Sequence, residues 1–205
     1  MIIRPYQGTD HKKVMPLYRS CFKEYDGPYF EEKEEKFSNL LSPQNAVVAA
    51  EDDIILGLGT YATIADDQMR DQMETTLYWA RRRSDRDDAL LGYCKDIQKE
   101  FGGEIVMEFF ENEYTNATFP IKDDDVYIDN LCVDQRYRKR GIGSKLAEEN
   151  IRRARQQGAT MAYISCAESS PSVTIFRKLP FLPLLRLGPS YANGSAALEM
   201  GMRLR

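Results

Sequence analysis

Arg138-Lys139-Arg140-Gly141-Ile142-Gly143-Ser144 sets three cations, two closely spaced glycines and a hydroxyl between the apolar run Val126 to Val133 and a long helical pattern. Read as strand, tight loop and helix entry, this segment turns several backbone N–H groups and the positive end of a helix toward one point. That is the physical requirement for gripping a pyrophosphate, and it points to a phosphate-bearing cofactor. The helix behind the loop reaches Gln157, stops at Gly158, and turns Leu146, Asn150, Ile151 and Ala154 inward. Gly141 and Gly143 would also serve an ordinary tight turn, so the setting of the loop has to decide.

Other chemistries lack the residues they need. His11 is the only histidine, and Cys21, Cys94, Cys132 and Cys166 are scattered with no CxxC spacing. A zinc site or a His-dependent triad has almost nothing to be built from, so no metal is expected. The cysteines read as buried, reduced thiols, and Cys166 has no histidine to activate it. Tyr137 to Arg155 is locally basic, but it lacks the interleaved aromatics of a single-strand binder, and the whole chain carries a net charge of -4. A solvated helix face explains the stripe without a nucleic-acid partner.

The elements that must position the loop follow from periodicity. Met1 to Arg4 reads as a first strand, followed by a helix capped at Thr9 or Asp10. Its face is Val14, Leu17, Tyr18, Cys21, Phe22 and Tyr25, and Pro16 should kink or delay it. A second helix spans about Tyr29 to Leu41, and Ala46 to Ala50 with Ile54 to Ile64 flank the turn Asp52-Asp53 as a hairpin does. Met69, Met73, Leu77 and Ala80 recur at helical spacing, as do Leu90, Cys94, Ile97 and Phe101 before Gly102-Gly103, which reads as an inserted helical pair at about 66–103. Strands at Glu104 to Phe110, Thr160 to Cys166, Leu182 to Leu187 and Ala196 to Arg203, with a short helix Pro171 to Leu179, complete a mixed α+β order. One domain over residues 1–205 is expected, since this length supplies one well-buried core. No apolar run approaches the roughly 20 residues that span a bilayer, and no signal-peptide segment opens the chain, so a cytoplasmic protein without a membrane partner is expected. An exposed methionine face on the insertion would make a homodimer; a packed one would not.

Asp66 to Asp125 holds twice as many acidic as basic residues, so the rest of the chain is net positive. Such a field favours a cationic partner on the acidic side.

The loop and the strand before it resemble the GNAT superfamily of acyl-CoA-dependent N-acetyltransferases, whose hallmark is Arg/Gln-x-x-Gly-x-Gly/Ala. Here the hallmark is Arg138 to Gly143, preceded by Leu131-Cys132-Val133-Asp134-Gln135-Arg136-Tyr137, and Ser169 to Phe181 is similar to the family's second cofactor motif. The resemblance implies a mostly antiparallel central sheet of about seven strands with flanking helices, in which the fourth and fifth strands splay apart. It implies acetyl-CoA as cofactor, with its pyrophosphate on the backbone of Arg138, Lys139, Arg140, Gly141, Ile142, Gly143 and Ser144. The pantetheine arm would lie on the main chain of Leu131, Cys132 and Val133, with Ser169 and Phe176 as further contacts. The reaction implied is direct attack of a primary amine on the thioester.

Three positions depart from the family pattern. Phe176 stands where a tyrosine usually protonates the leaving thiolate, Pro180 replaces a glycine, and Ser169 replaces an asparagine. A thiol of ordinary acidity needs only about 2 kcal/mol to leave as thiolate at pH 7, so losing the acid slows the reaction without forbidding it. Tyr127 occupies the position of a family glutamate, Asp129 shares its side by the two-residue period, and Glu108 lies on the preceding strand. These three are the candidate catalytic residues. A lysine-like acceptor costs about 4.6 kcal/mol to deprotonate at pH 7, so a base is needed for that substrate class. The competing reading is a CoA-binding regulatory or scaffold module with reduced chemistry.

Overall fold

The computed structural model describes residues 1–27, 30–65, 77, 88–102, 104–116 and 121–204. Among them the strands are β1 (Ile2–Pro5), β2 (Ala46–Glu51), β3 (Ile54–Thr63), β4 (Val106–Phe109), β5 (Val126–Val133), β6 (Met161–Ala167), β7 (Leu182–Gly188) and β8 (Ala197–Arg203). The helices are α1 (His11–Asp26), α2 (Phe30–Leu40), α3 (Asp88–Phe101), α4 (Glu113–Asn116), α5 (Ile142–Gln156) and α6 (Ser172–Lys178). The strands form one 8-stranded sheet in the order β1-β2-β3-β5-β6-β8-β7-β4. Only the central β5–β6 pair is parallel, because α5 carries the chain back across the sheet between them. The expected mixed sheet is present, and the edge strand β4 brings it to eight.

Alternation along the strands sends apolar side chains to both faces, and helices cover each. On one face, Val14, Leu17 and Tyr18 of α1 with Phe30 and Phe37 of α2 pack on Val48, Ala50, Leu58 and Cys132. The Tyr18 ring stacks on Phe37 with centroids 3.9 Å apart. Further along this face Leu77 and Tyr114 meet Tyr127, Tyr163 and Leu184, and Cys94 of α3 meets Leu185 and Leu187. On the opposite face Ala147, Ile151 and Ala154 of α5, with Val173 and Phe176 of α6, pack on Val126, Ile128, Ile164 and Leu198.

Two local expectations change. Pro16 lies inside α1, which continues through it from His11 to Asp26. The Asp10 side chain makes no cap bond to this helix; it accepts the Gln7 N–H at 2.9 Å and pairs with Arg4 at 2.7 and 2.8 Å, tying β1 to the turn ahead of α1. Of the inserted pair, the second helix is α3, whereas Met69, Met73 and Ala80 of the first lie outside the described residues and Leu77 is helical and buried. No helix among the described residues is long and apolar enough to cross a membrane.

Candidate active site at the divergence of two strands

β5 and β6 are held together at one end only. Their pairing consists of Val126 with Ala162 and Tyr127 with Tyr163, after which the strands part. Asp125, fully buried, pins the closed end: Oδ1 accepts the Thr160 N–H at 3.1 Å, the Thr160 hydroxyl at 2.9 Å and the Met161 N–H at 2.8 Å, while Oδ2 accepts the Lys122 N–H at 3.0 Å. A bulge then sets Asp129 and Asn130 against Thr60 of β3. Beyond it the Asn130 N–H donates to Thr60 Oγ1 at 3.1 Å and the Asp134 N–H to Leu56 O at 2.9 Å, both toward β3. Strand alternation therefore turns the N–H and C=O groups of Leu131 and Val133 the other way, into the gap.

The loop stands at the open end. Arg138, Lys139 and Arg140 are exposed, Lys139 has φ 64° and Gly141 φ 76°, the left-handed conformation that glycine adopts without a Cβ clash. Gly141 is the N-cap of α5 and offers no side chain, the first turn holds no acidic residue, and the first intrahelical bond is Lys145 N–H to Gly141 O. The N–H groups of Ile142, Gly143 and Ser144 are thus left to an outside acceptor. Gly143 also admits α6: a Cβ there would lie 2.6 Å from Ile175 Cδ1. These groups fit the two anionic and amide-bearing parts of acetyl-CoA, namely a pyrophosphate at the helix start and an arm that hydrogen-bonds along β5.

The sheet face that carries Tyr127 holds other candidate side chains. Tyr127 is buried, and burial first, then the charge of Glu199 and the neighbouring Tyr191 and Asp129, raise its hydroxyl well above the ordinary tyrosine range. It therefore stays protonated. Asp129 is exposed, and its carboxylate accepts from the Asn130 side-chain amide beside it. Glu108 is not near them. β4 precedes β5 in the chain but lies at the sheet edge, with β6, β8 and β7 between them, and Glu108 pairs with Arg186 on the opposite face, where Arg186 binds Glu168 at 2.7 Å. Sequence order misled here because β4 joins the sheet beside β7.

Two residues escape the motifs. Glu199 of β8, 8% exposed, stands opposite Ser165 of β6 just past the closed end, and burial raises its carboxyl to about 7. A charged residue inside the apolar run Ala196 to Met200 is the one signal that could have found it. Cys21 is half-buried and its thiol is lowered to about 6, chiefly by a hydrogen bond from Cys132, with help from Ser20 and Arg138. Cys21 is reduced as expected but not fully buried, because α1 ends its buried face against the glycine loop. Cys94 and Cys132 are buried, and burial pushes Cys166 up to about 12.

In the second motif, Ser169 is exposed and its N–H donates to Ser195 Oγ at 3.0 Å. Phe176 is 3% exposed, edge-on to Phe181 with centroids 5.3 Å apart. No group of three His, Cys, Asp or Glu side chains among the described residues is arranged to hold a metal.

A parallel strand pair that opens beside an uncapped, basic helix entry defines an acyltransferase that takes its acyl group from coenzyme A. The chain belongs to the Acetyltransferase (GNAT) family, whose sequence model matches residues 11–179. Among solved structures it is similar to polyamine N-acetyltransferase of Drosophila melanogaster, with TM-score 0.64, 12% identity, and 98% of this chain and 99% of that chain covered. It is also similar to ribosomal-protein-alanine N-acetyltransferase of Brucella melitensis, with TM-score 0.59, 13% identity and 99% of each chain covered. A third is yncA of Salmonella typhimurium, solved with its cofactor acetyl-CoA, with TM-score 0.58, 11% identity, and 100% of this chain and 94% of that chain covered. No curated protein sequence matches this chain.

Proposed function

We propose that the protein transfers the acetyl group of acetyl-CoA to a primary amine of a cationic small molecule or peptide, by direct attack within a ternary complex. The observation that carries this reading is the one-sided pairing of β5 and β6, which leaves the main chain of Leu131 and Val133 facing a gap that ends at the uncapped start of α5. Bound acetyl-CoA supplies an electrophilic thioester carbonyl. Ile142, Gly143 and Ser144 hold the pyrophosphate through their N–H groups, with Arg138, Lys139 and Arg140 neutralising its charge.

The N–H of Leu131 stabilises the negative charge that develops on the carbonyl oxygen, from a backbone already fixed by β3. Asp129, exposed at the bulge, offers the incoming ammonium a carboxylate, and Tyr127 lines the same face. The net negative charge of residues 66–125 favours polyamine-like or basic-peptide acceptors; the relatives named for polyamine and ribosomal-protein alanine acetylation belong to that chemical range.

The test is release of free CoA thiol from acetyl-CoA across a panel of primary amines, with mass spectrometry of the product. Release with cationic amines supports the reading. Phe176 favours a second one, since its buried ring donates no proton to a leaving thiolate. Tight acetyl-CoA binding without thiol release across the panel would show a CoA-binding module in place of an enzyme.

A further inference from the structure

Glu199 lies at the apex of the gap. It stands on β8 opposite Ser165, and Ser165 is two residues beyond Tyr163, which closes the β5–β6 pairing. The Ser165 hydroxyl is close enough to favour the ionised forms of both Glu199 and Tyr127, so β8, β6 and β5 bring these three side chains together at the point where the strands part. Glu199 is more than nine-tenths buried, and its Oε2 has no hydrogen-bond partner among the described residues. A carboxylate oxygen withdrawn from water at such a cost calls for a proton or a cation.

The groups around it do not supply a cation. β5 contributes Tyr127 and Asp129, the β7–β8 loop Tyr191, β6 Ser165 and Cys166, and β7 the apolar Leu185, which packs against Cys94 of α3. Among the described residues no lysine or arginine acts on the Glu199 carboxyl.

We propose that Glu199 is the base that takes the proton of the acceptor ammonium, and that with Ser165 and Tyr127 it forms a pocket for a primary amine presented as a cation. This rests on the transferase reading above. In the step, an ammonium N–H bond breaks and its proton passes to Oε2. The freed lone pair forms the N–C bond, the thioester C–S bond breaks, and its electron pair leaves on sulfur. The second amine proton neutralises the thiolate as the amide forms, and Glu199 returns its proton to water. Burial holds the carboxyl near 7, where a base is half available at neutral pH.

The experiment compares wild type with E199Q, using putrescine as probe. E199Q is expected to lose about 100-fold in kcat at pH 7 and the acid limb of the pH profile, while acetyl-CoA affinity by calorimetry changes by less than about threefold. A second readout needs no turnover: putrescine binding to the CoA complex at pH 6, measured in buffers of different ionisation enthalpy. Wild type should release about one proton per amine bound as Glu199 ionises, and E199Q none. Unchanged kcat and pH profile in a folded E199Q, or equal proton release, overturns the proposal. If wild type releases no CoA thiol with any amine, the transferase reading falls by itself, and the proton-release arm still upholds or overturns the cation pocket.

Discussion

The guanidinium of Arg138 lies 3.9 Å from the sulfur of Cys21, across 117 residues of sequence, and its Nε donates to the Val133 carbonyl at 3.1 Å. One arginine thus joins α1, the end of β5 and the glycine loop. The Cys21 sulfur is itself 3.8 Å from the Val133 oxygen, beside the main chain on which the pantetheine arm would lie.

The first prediction follows from that contact. The folded Cys21 thiol is lowered from 9.0 to about 6, so its reactive thiolate is fully formed at pH 8 and is lost as pH falls through about 6. Iodoacetamide should alkylate Cys21 first, at a rate that levels off above neutrality, and slowest at Cys132, which is fully buried and whose thiol burial raises well above the ordinary range. Saturating CoA should slow the reaction at Cys21. Peptide mapping after timed quenching reads both; a rate that keeps climbing to pH 9 would refute the thiolate.

The second concerns Gly141. Its φ of 76° costs an alanine about 1 kcal/mol and a β-branched residue more, and relaxing that strain turns the N–H groups of the α5 entry away from one another. Gly141→Val should therefore weaken CoA binding at least about tenfold by calorimetry, with only a small shift in unfolding temperature. An unchanged dissociation constant would move the pyrophosphate site elsewhere.

The third concerns the hinge end of the gap. Asp125→Ala removes a buried acceptor shared by the Lys122, Thr160 and Met161 N–H groups and leaves the buried Met161 N–H unpaired, so a loss of about 3 kcal/mol is expected in urea unfolding. Because the same carboxylate holds β5 to β6, the variant should also bind CoA more weakly than its stability loss alone explains. Stability within about 0.5 kcal/mol of wild type would show that the strands are held by other means.

What could be read from the sequence was whatever depends on neighbours in the chain. The loop, the helix behind it with Leu146, Ile151 and Ala154 inward, and the strand ending at Val133 are set by local periodicity and by the φ that Gly141 needs. The sheet order, by contrast, depends on pairing between distant strands. It placed β4 next to β7 and removed Glu108 from the site, and it brought Glu199 opposite Ser165. No spacing rule marks that last pair, because the register across β6 and β8 is set by apolar contacts on the other face, such as those of Ile164, Leu198 and Met200.

The last prediction concerns Phe176→Tyr, which restores the family's residue. The Phe176 ring is 3% exposed and packs with Val173 and Phe181 between α6 and the sheet, so an added hydroxyl enters an apolar cluster. An unpartnered buried hydroxyl costs about 1 to 3 kcal/mol. The compensating gain would be proton donation to the departing thiolate, worth about 100-fold where the acid is positioned. A thiol of ordinary acidity already leaves as thiolate at neutral pH for about 2 kcal/mol, so the need is modest. The packing term decides: Phe176→Tyr should unfold at lower temperature and change kcat for CoA thiol release by less than about threefold. A rise of tenfold or more in kcat would show that the ring reaches the sulfur and that the missing acid limits the enzyme.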